Sequence, residues 1–316
     1  MLQRFLLLWL LISSLVALYW PAFEVRFDPF LAAGNYGIRW LLVAIMFCVG
    51  LLLPVDEVNA LRQRWPAVIG GTAIQYTCMP LVAWIMVLIF QPDPETAAGI
   101  MIVGCVPGAM ASNVLTLAAH GNVSYSVSLT TSATLLSPLV VPVMLGWAVS
   151  DDISYDGGEA VKLLVLRVVL PVIGGHLVRR LFPLSQRQLE AAGVIANLAI
   201  LAVIAIAVAG KRADLASVTP PLLGLLAGIN LTGYLAGYLG GFPLSLPEQM
   251  RRALTLEVGM QNAGAGTALA IELFGESSPA VTPCIVYTFG CMLTGTILAT
   301  FWNWRPVPDI NADQIE

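Results

Sequence analysis

The run Glu257-Val258-Gly259-Met260-Gln261-Asn262-Ala263-Gly264-Ala265-Gly266 lies inside a stretch, Ala253 to Phe274, that has the length of one membrane crossing. A crossing helix satisfies its own backbone in lipid. Glycines, amides and a carboxylate in its middle therefore mark an interruption, which is tolerated only where it is buried in protein or lines a cavity. A second interruption is legible in Gly104-Cys105-Val106-Pro107-Gly108-Ala109-Met110-Ala111-Ser112-Asn113, where Pro107 removes a backbone donor and Gly108 accepts an unwound chain.

Working outward, 58% of the 316 residues are hydrophobic and 11% charged, against roughly 25% charged in a soluble domain. The charges act as punctuation. They leave room for crossings at Phe5 to Phe23, about Trp40 to Leu53, and within Trp65 to Pro92. Two more fit between Thr96 and Ser150, reversing at His120-Gly121-Asn122. The rest are about Val161 to Val178, Ala191 to Gly210, within Leu215 to Leu246, Ala253 to Phe274, and within Ser277 to Trp304. The first segment lacks a small-x-small cleavage site and ends on the interfacial pair Tyr19-Trp20, so it reads as a crossing and not a signal peptide.

The expected fold is an all-α integral membrane protein with ten transmembrane helices. Residues 1–150 form a first five-helix repeat, 151–159 a polar extracytoplasmic join, 160–304 a second repeat and 305–316 a cytoplasmic tail. An odd number of crossings per half inserts the second half upside down, the inverted arrangement of secondary transporters. The two interruptions then fall in the fourth crossing of each half, where such transporters bind their cargo. Placing the N-terminus inside puts nine Lys and Arg in the cytoplasm and five outside, so both termini are expected there, in an inner or plasma membrane.

Glu257 is the one acid these spans put deep inside a crossing; Glu272 is read as lying near the outer end of the ninth. A charge at that depth costs at least about 2.5 kcal/mol, so Glu257 calls for a cation or a proton. Ser112, Asn113, Ser126, Thr130, Gln261 and Asn262 offer neutral oxygens nearby in the pattern, and Ser126 and Thr130 share a helix face at i, i+4 spacing. Hard cations choose all-oxygen surroundings, and a lone carboxylate suits Na⁺ better than Ca²⁺.

These residues carry a resemblance. Gln75 before Met79-Pro80-Leu81, Pro107-Gly108 followed by Ser112-Asn113, the Gly121-Asn122 turn leading to Ser126 and Thr130, and above all Glu257-Val258-Gly259-Met260-Gln261-Asn262 resemble the bile acid:sodium symporter family, in matching order from the second crossing to the tenth. The resemblance implies a panel domain (helices one, two, six and seven) and a core domain (three to five and eight to ten), with helices four and nine broken. It implies one sodium site at Ser112, Asn113, Ser126, Thr130 and Glu257. A second is implied at Gln75, Glu257, Val258, Met260 and Gln261, the valine and methionine acting through their carbonyls. The family often has Pro-Gly-Gly where this chain has Pro107-Gly108-Ala109, followed by the bulky Met110. The substrate is accordingly left as an organic anion, a bile acid or a smaller acid such as pantoate, expected near Met110, Asn262 and Gly264.

Several features take plainer readings. Gly224, Gly228, Gly233, Gly237 and Gly241 at GxxxG spacing indicate close helix packing. Arg167, inside the sixth crossing, either reaches a substrate anion or snorkels to an interface. His120 and His176 have no metal-like companion, and the five cysteines show neither disulfide nor zinc spacing. Rivals to a sodium symporter are a proton-coupled transporter using Glu257 and a metalloid-oxyanion exporter using Cys105. An intramembrane enzyme lacks a second buried catalytic group, so no catalytic residue and no cofactor beyond Na⁺ as coupling ion is expected. No basic run suggests a nucleic-acid partner.

Overall fold

In the computed structural model, the described residues are 6–25, 27–53, 65–148 and 155–305. They form α1 (Leu6–Tyr19), α2 (Pro29–Leu52), α3 (Trp65–Phe90), α4 (Pro94–Cys105), α5 (Met110–Ala118), α6 (Val123–Ala148) and α7 (Gly157–Leu181). After these come α8 (Gln186–Gly210), α9 (Arg212–Ala216), α10 (Pro220–Gly240), α11 (Glu248–Gly259), α12 (Ala263–Phe274) and α13 (Val281–Asn303). Seven of the helical segments are long and apolar enough to cross a membrane, and Tyr36–Leu52, Pro94–Cys105 and Gly264–Phe274 are shorter apolar helices. Arg4, Arg26, Arg62 and Arg64, residues 151–154 of the polar join and the tail beyond Arg305 lie outside the described residues.

Expected and observed segments agree closely, with one shift. The second begins at Pro29 rather than near Trp40, because Asp28 accepts hydrogen bonds from the N–H groups of Phe30 and Leu31 and Pro29 opens the first turn. The helix bends at Gly34, whose φ of 48° only glycine adopts freely.

The interior of the bundle is mostly apolar, and much of the outer surface is apolar as well. On α6, Ser126 and Ser137 are fully buried while Leu139 and Trp147 are exposed. These two serines turn inward, while leucines and tryptophans also cover the outer surface, where lipid would lie. α2 packs between α7 and α8, with α1 against α8; α10 lies on α11 and α3, and α4 is enclosed by α3, α6 and α13. Glycines allow the closest approaches. A Cβ on Gly175 would lie 2.1 Å from the Phe47 carbonyl oxygen, and one on Gly237 2.7 Å from that of Leu254. The packing reading of the α10 glycines therefore holds at Gly237, and at Gly233 against Met79, whereas Gly224 meets nothing within 4 Å.

Chain direction defines two faces. On the first, where α1 starts, the Asn122 N–H reaches the Gln249 carbonyl (2.9 Å) and His120 meets Asn303 (3.0 Å). On the opposite face Ser278 donates to Glu95 (2.6 Å) and Lys211 to the Ser277 carbonyl (2.5 Å).

Candidate ion and substrate site

Both interruptions occur where the sequence places them, between α4 and α5 and between α11 and α12, and they meet. Gly108 and Gln261 form an antiparallel bridge in which the Ala109 N–H donates to the Met260 carbonyl and the Asn262 N–H to the Pro107 carbonyl, each at 2.8 Å. Each broken helix satisfies part of the other's exposed backbone.

Glu257, near the C-terminal end of α11, is wholly inaccessible, and among the described residues no Lys, Arg or His pairs with it. Its carboxylate accepts from Ser112 Oγ (2.5 Å), Thr130 Oγ1 (2.5 Å) and Ser126 Oγ (3.3 Å). Gly108 is the reason the carboxylate fits: a Cβ there would stand 2.1 Å from Glu257 Oε1. Asn113, next along α5, has a buried Oδ1 with no hydrogen-bond partner.

The second expected set is also brought together. Gln75 Nε2 donates to Gln261 Oε1 at 3.3 Å, and Gln261 Nε2 donates to the Val258 carbonyl at 3.1 Å. Gln75 Oε1 is buried without a partner. The Met260 carbonyl keeps one lone pair beyond the bridge to Ala109. Two buried amide oxygens without partners and a carboxylate without a cation are the donor types a hard monovalent cation takes, because an orphaned buried oxygen is costly until something electropositive faces it.

The neighbouring Gly259 carbonyl faces away and accepts from Asn230 Nδ2 (2.8 Å) and Tyr287 Oη (2.9 Å), while Thr294 Oγ1 holds Asn230 Oδ1 (2.7 Å). The sequence reading missed these residues; the available signal was an asparagine inside the glycine-rich, apolar α10. A cavity of about 40 Å³ at the breaks is lined by Met110, Asn262 and Gly264, together with Asn197 of α8 and Thr288 of α13. An adjoining cavity of about 200 Å³ reaches toward Leu6, Leu52 and Gly193 on the first face. The N-termini of α5 and α12 both begin at the breaks, so their positive dipole ends face this space. Asn262 Oδ1 caps α12 through the Ala265 N–H (3.1 Å).

Glu272 lies two residues from the end of α12, the position expected of it, with its side chain 5% exposed. Its Oε1 accepts from Arg167 Nη1 and from Arg39 Nε (2.8 Å), partners the sequence reading did not name. Cys105 is fully buried at the end of α4.

The sequence pattern of the sodium bile acid symporters matches residues 40–218, more than half of the chain. The chain belongs to that family. It is 32% identical over 298 residues to the uncharacterized sodium-dependent transporter YocS of Bacillus subtilis (strain 168), covering 94% of this chain and 90% of the relative. It is 30% identical over 278 residues to the probable sodium/metabolite cotransporter BASS1, chloroplastic, of Arabidopsis thaliana (84% of this chain, 67% of the relative). It is 31% identical over 231 residues to the ileal sodium/bile acid cotransporter of Homo sapiens (70% of this chain, 65% of the relative). The family and the long apolar helices together make this a multi-pass membrane protein of a sodium-coupled symporter family, which points away from an enzyme.

Proposed function

We propose that this protein imports an organic carboxylate by Na⁺ symport with alternating access, crossing the membrane ten times as an inverted five-plus-five repeat. The panel and core domains and cytoplasmic termini are those of the sequence reading. The observation that supports this best is Glu257, fully buried, touched by three hydroxyls and balanced by no basic side chain among the described residues. An anionic carboxylate in lipid needs a positive partner. Na⁺ supplies it from solution, so the charge of the site depends on the ion gradient. One ion would be held by Ser112, Asn113, Ser126, Thr130 and Glu257, the other by Gln75, Glu257, Val258, Met260 and Gln261, giving more than one Na⁺ per cycle.

The substrate carboxylate would sit at the N-termini of α5 and α12, near Met110, Asn262 and Gly264, with Na⁺ in place. This ordering couples the two fluxes: without the cations the anion would face Glu257 across the breaks. Bile acids and smaller metabolic acids are the classes the relatives' names suggest. The test is a thermal-shift screen of carboxylates with and without Na⁺, followed by uptake into proteoliposomes. A substrate should stabilise the purified protein more strongly when Na⁺ is present. Uptake that is unchanged when choline replaces Na⁺, and that follows a pH gradient instead, would defeat the reading.

A further inference from the structure

Glu272 is a buried carboxylate that the ion site does not use. It lies ten residues beyond Asn262 on α12, about 15 Å along the helix from the break. Its two cationic partners belong to different helices: Arg39 to α2 and Arg167 to α7. Arg167 sits in a five-residue π turn, Val165–Val169, within α7. A π turn adds a residue to the helical path, and one residue turns the helix surface by about 100°, so the direction in which Arg167 leaves α7 depends on it. Such turns are often retained at functional positions.

The arrangement is one-sided. α2 and α7 pack tightly on each other, whereas α12 is continuous with the breaks. Among the described residues, Arg39 and Arg167 with Glu272 make the only ion pairs joining α1, α2, α7 and α8 to the helices around the breaks. A second tie on the same face is Lys211 of the α8 end on the Ser277 carbonyl. On the first face Arg251 and Arg252 pair with Glu248 of their own helix. There the cavities at the breaks run toward Leu6, Leu52 and Gly193. The closed face has the cross-links and the other has the crevice. Outside the triad a hollow of about 450 Å³, lined by Tyr155, Lys162 and Leu166, leads up to it.

We propose that Arg39, Arg167 and Glu272 are the gate of the face opposite the start of α1, and that they must part for cargo to reach the breaks from that side. The inference rests on the alternating-access reading. The Glu272 side chain is 5% exposed while those of Arg39 and Arg167 are 43% and 25% exposed toward the adjoining hollow, so parting the triad strips the carboxylate of its counter-charges until water from the hollow reaches it. The triad thereby opposes opening of its own face and biases the resting protein toward the crevice of the first face.

The test uses a cysteine-free background with Ile200→Cys, a position beside the breaks, labelled by an impermeant maleimide applied to one face at a time of sealed proteoliposomes. In the background protein the preferred labelling face should change with Na⁺ and substrate. Glu272→Gln should move the ratio of opposite-face to first-face labelling by about tenfold toward the opposite face. The charge swap Arg167→Glu with Glu272→Arg should bring it part of the way back. Arg39→Gln weakens the same contact from α2 and should act in the same direction if Glu272→Gln does not insert. Labelling confined to one face under all conditions in the background protein would overturn alternating access itself. Labelling that changes face normally and is indifferent to Glu272→Gln and Arg39→Gln would overturn the gate alone.

Discussion

Glu257 and Glu272 stand on the two halves of one broken helix; the first is wholly inaccessible and the side chain of the second is 5% exposed. Glu272 has two arginines from other helices; Glu257 has three hydroxyl donors and, among the described residues, no cation. A buried carboxylate supplied with its own counter-charges is complete and holds helices together. One supplied only with neutral donors is incomplete, and the missing charge has to come from outside the chain. Burial alone therefore says little about the role of an acid in a membrane protein; the origin of its counter-charge says more.

The sharpest way to break this contrast is at Glu257. Glu257→Ala should abolish Na⁺-stimulated substrate binding while the protein still inserts, and a normal Na⁺ titration of that variant would remove the proposed site. Gly108→Ala should come close to the same loss through sterics, since its Cβ would stand 2.1 Å from Glu257 Oε1. Thermal stabilisation by Na⁺ measures it, and full stabilisation would show that the carboxylate moves aside freely. Thr130→Ala and Gln75→Ala remove one oxygen from each proposed set. Each should weaken apparent Na⁺ affinity by about tenfold, or about 1.4 kcal/mol. Unchanged titrations in both variants would mean that the two donor sets were wrongly drawn. The smallest effect is expected at Glu272→Gln, whose Na⁺ requirement should persist because its carboxylate is matched by arginine and not by the ion. Loss of Na⁺ dependence there would erase the distinction between the two acids.

Much of this was legible in the sequence, because lipid makes its demands locally. Pro107-Gly108 and the glycines from Gly259 to Gly266 stand among amides, hydroxyls and a carboxylate, and this clustering made the breaks visible, whereas Pro80, Pro138 and Pro142 remain inside continuous helices. The hydroxyls of Ser126 and Thr130 were recognised by their spacing and by the family resemblance. Other features depend on partners far away in the chain. Arg39 and Arg167 lie 233 and 105 residues from Glu272, and nothing in the periodicity around any of the three announces the others. Asn230 and Tyr287 hold the Gly259 carbonyl from helices whose composition reads as plain apolar packing. The π turn in α7 was marked by Pro171, which cannot donate to the Arg167 carbonyl four residues back, but nothing local says which partner Arg167 then meets. Where a helix stops is signalled by neighbouring residues acting together; which side chain meets which across the bundle is decided by how the helices stack.

The bridge between Gly108 and Gln261 has a kinetic consequence. Unwound backbone usually loses its amide protons to exchange quickly, because no neighbouring turn protects them. Here the amides of Ala109 and Asn262 are each bonded at 2.8 Å to a carbonyl of the other broken helix. Their exchange with deuterium requires the two interrupted segments to separate, which ordinary fraying of a helix end does not accomplish. These amides therefore act as a clock for one specific event, the parting of the crossed helices, and its occurrence can be read from solvent deuterium alone, without ligand or mutation.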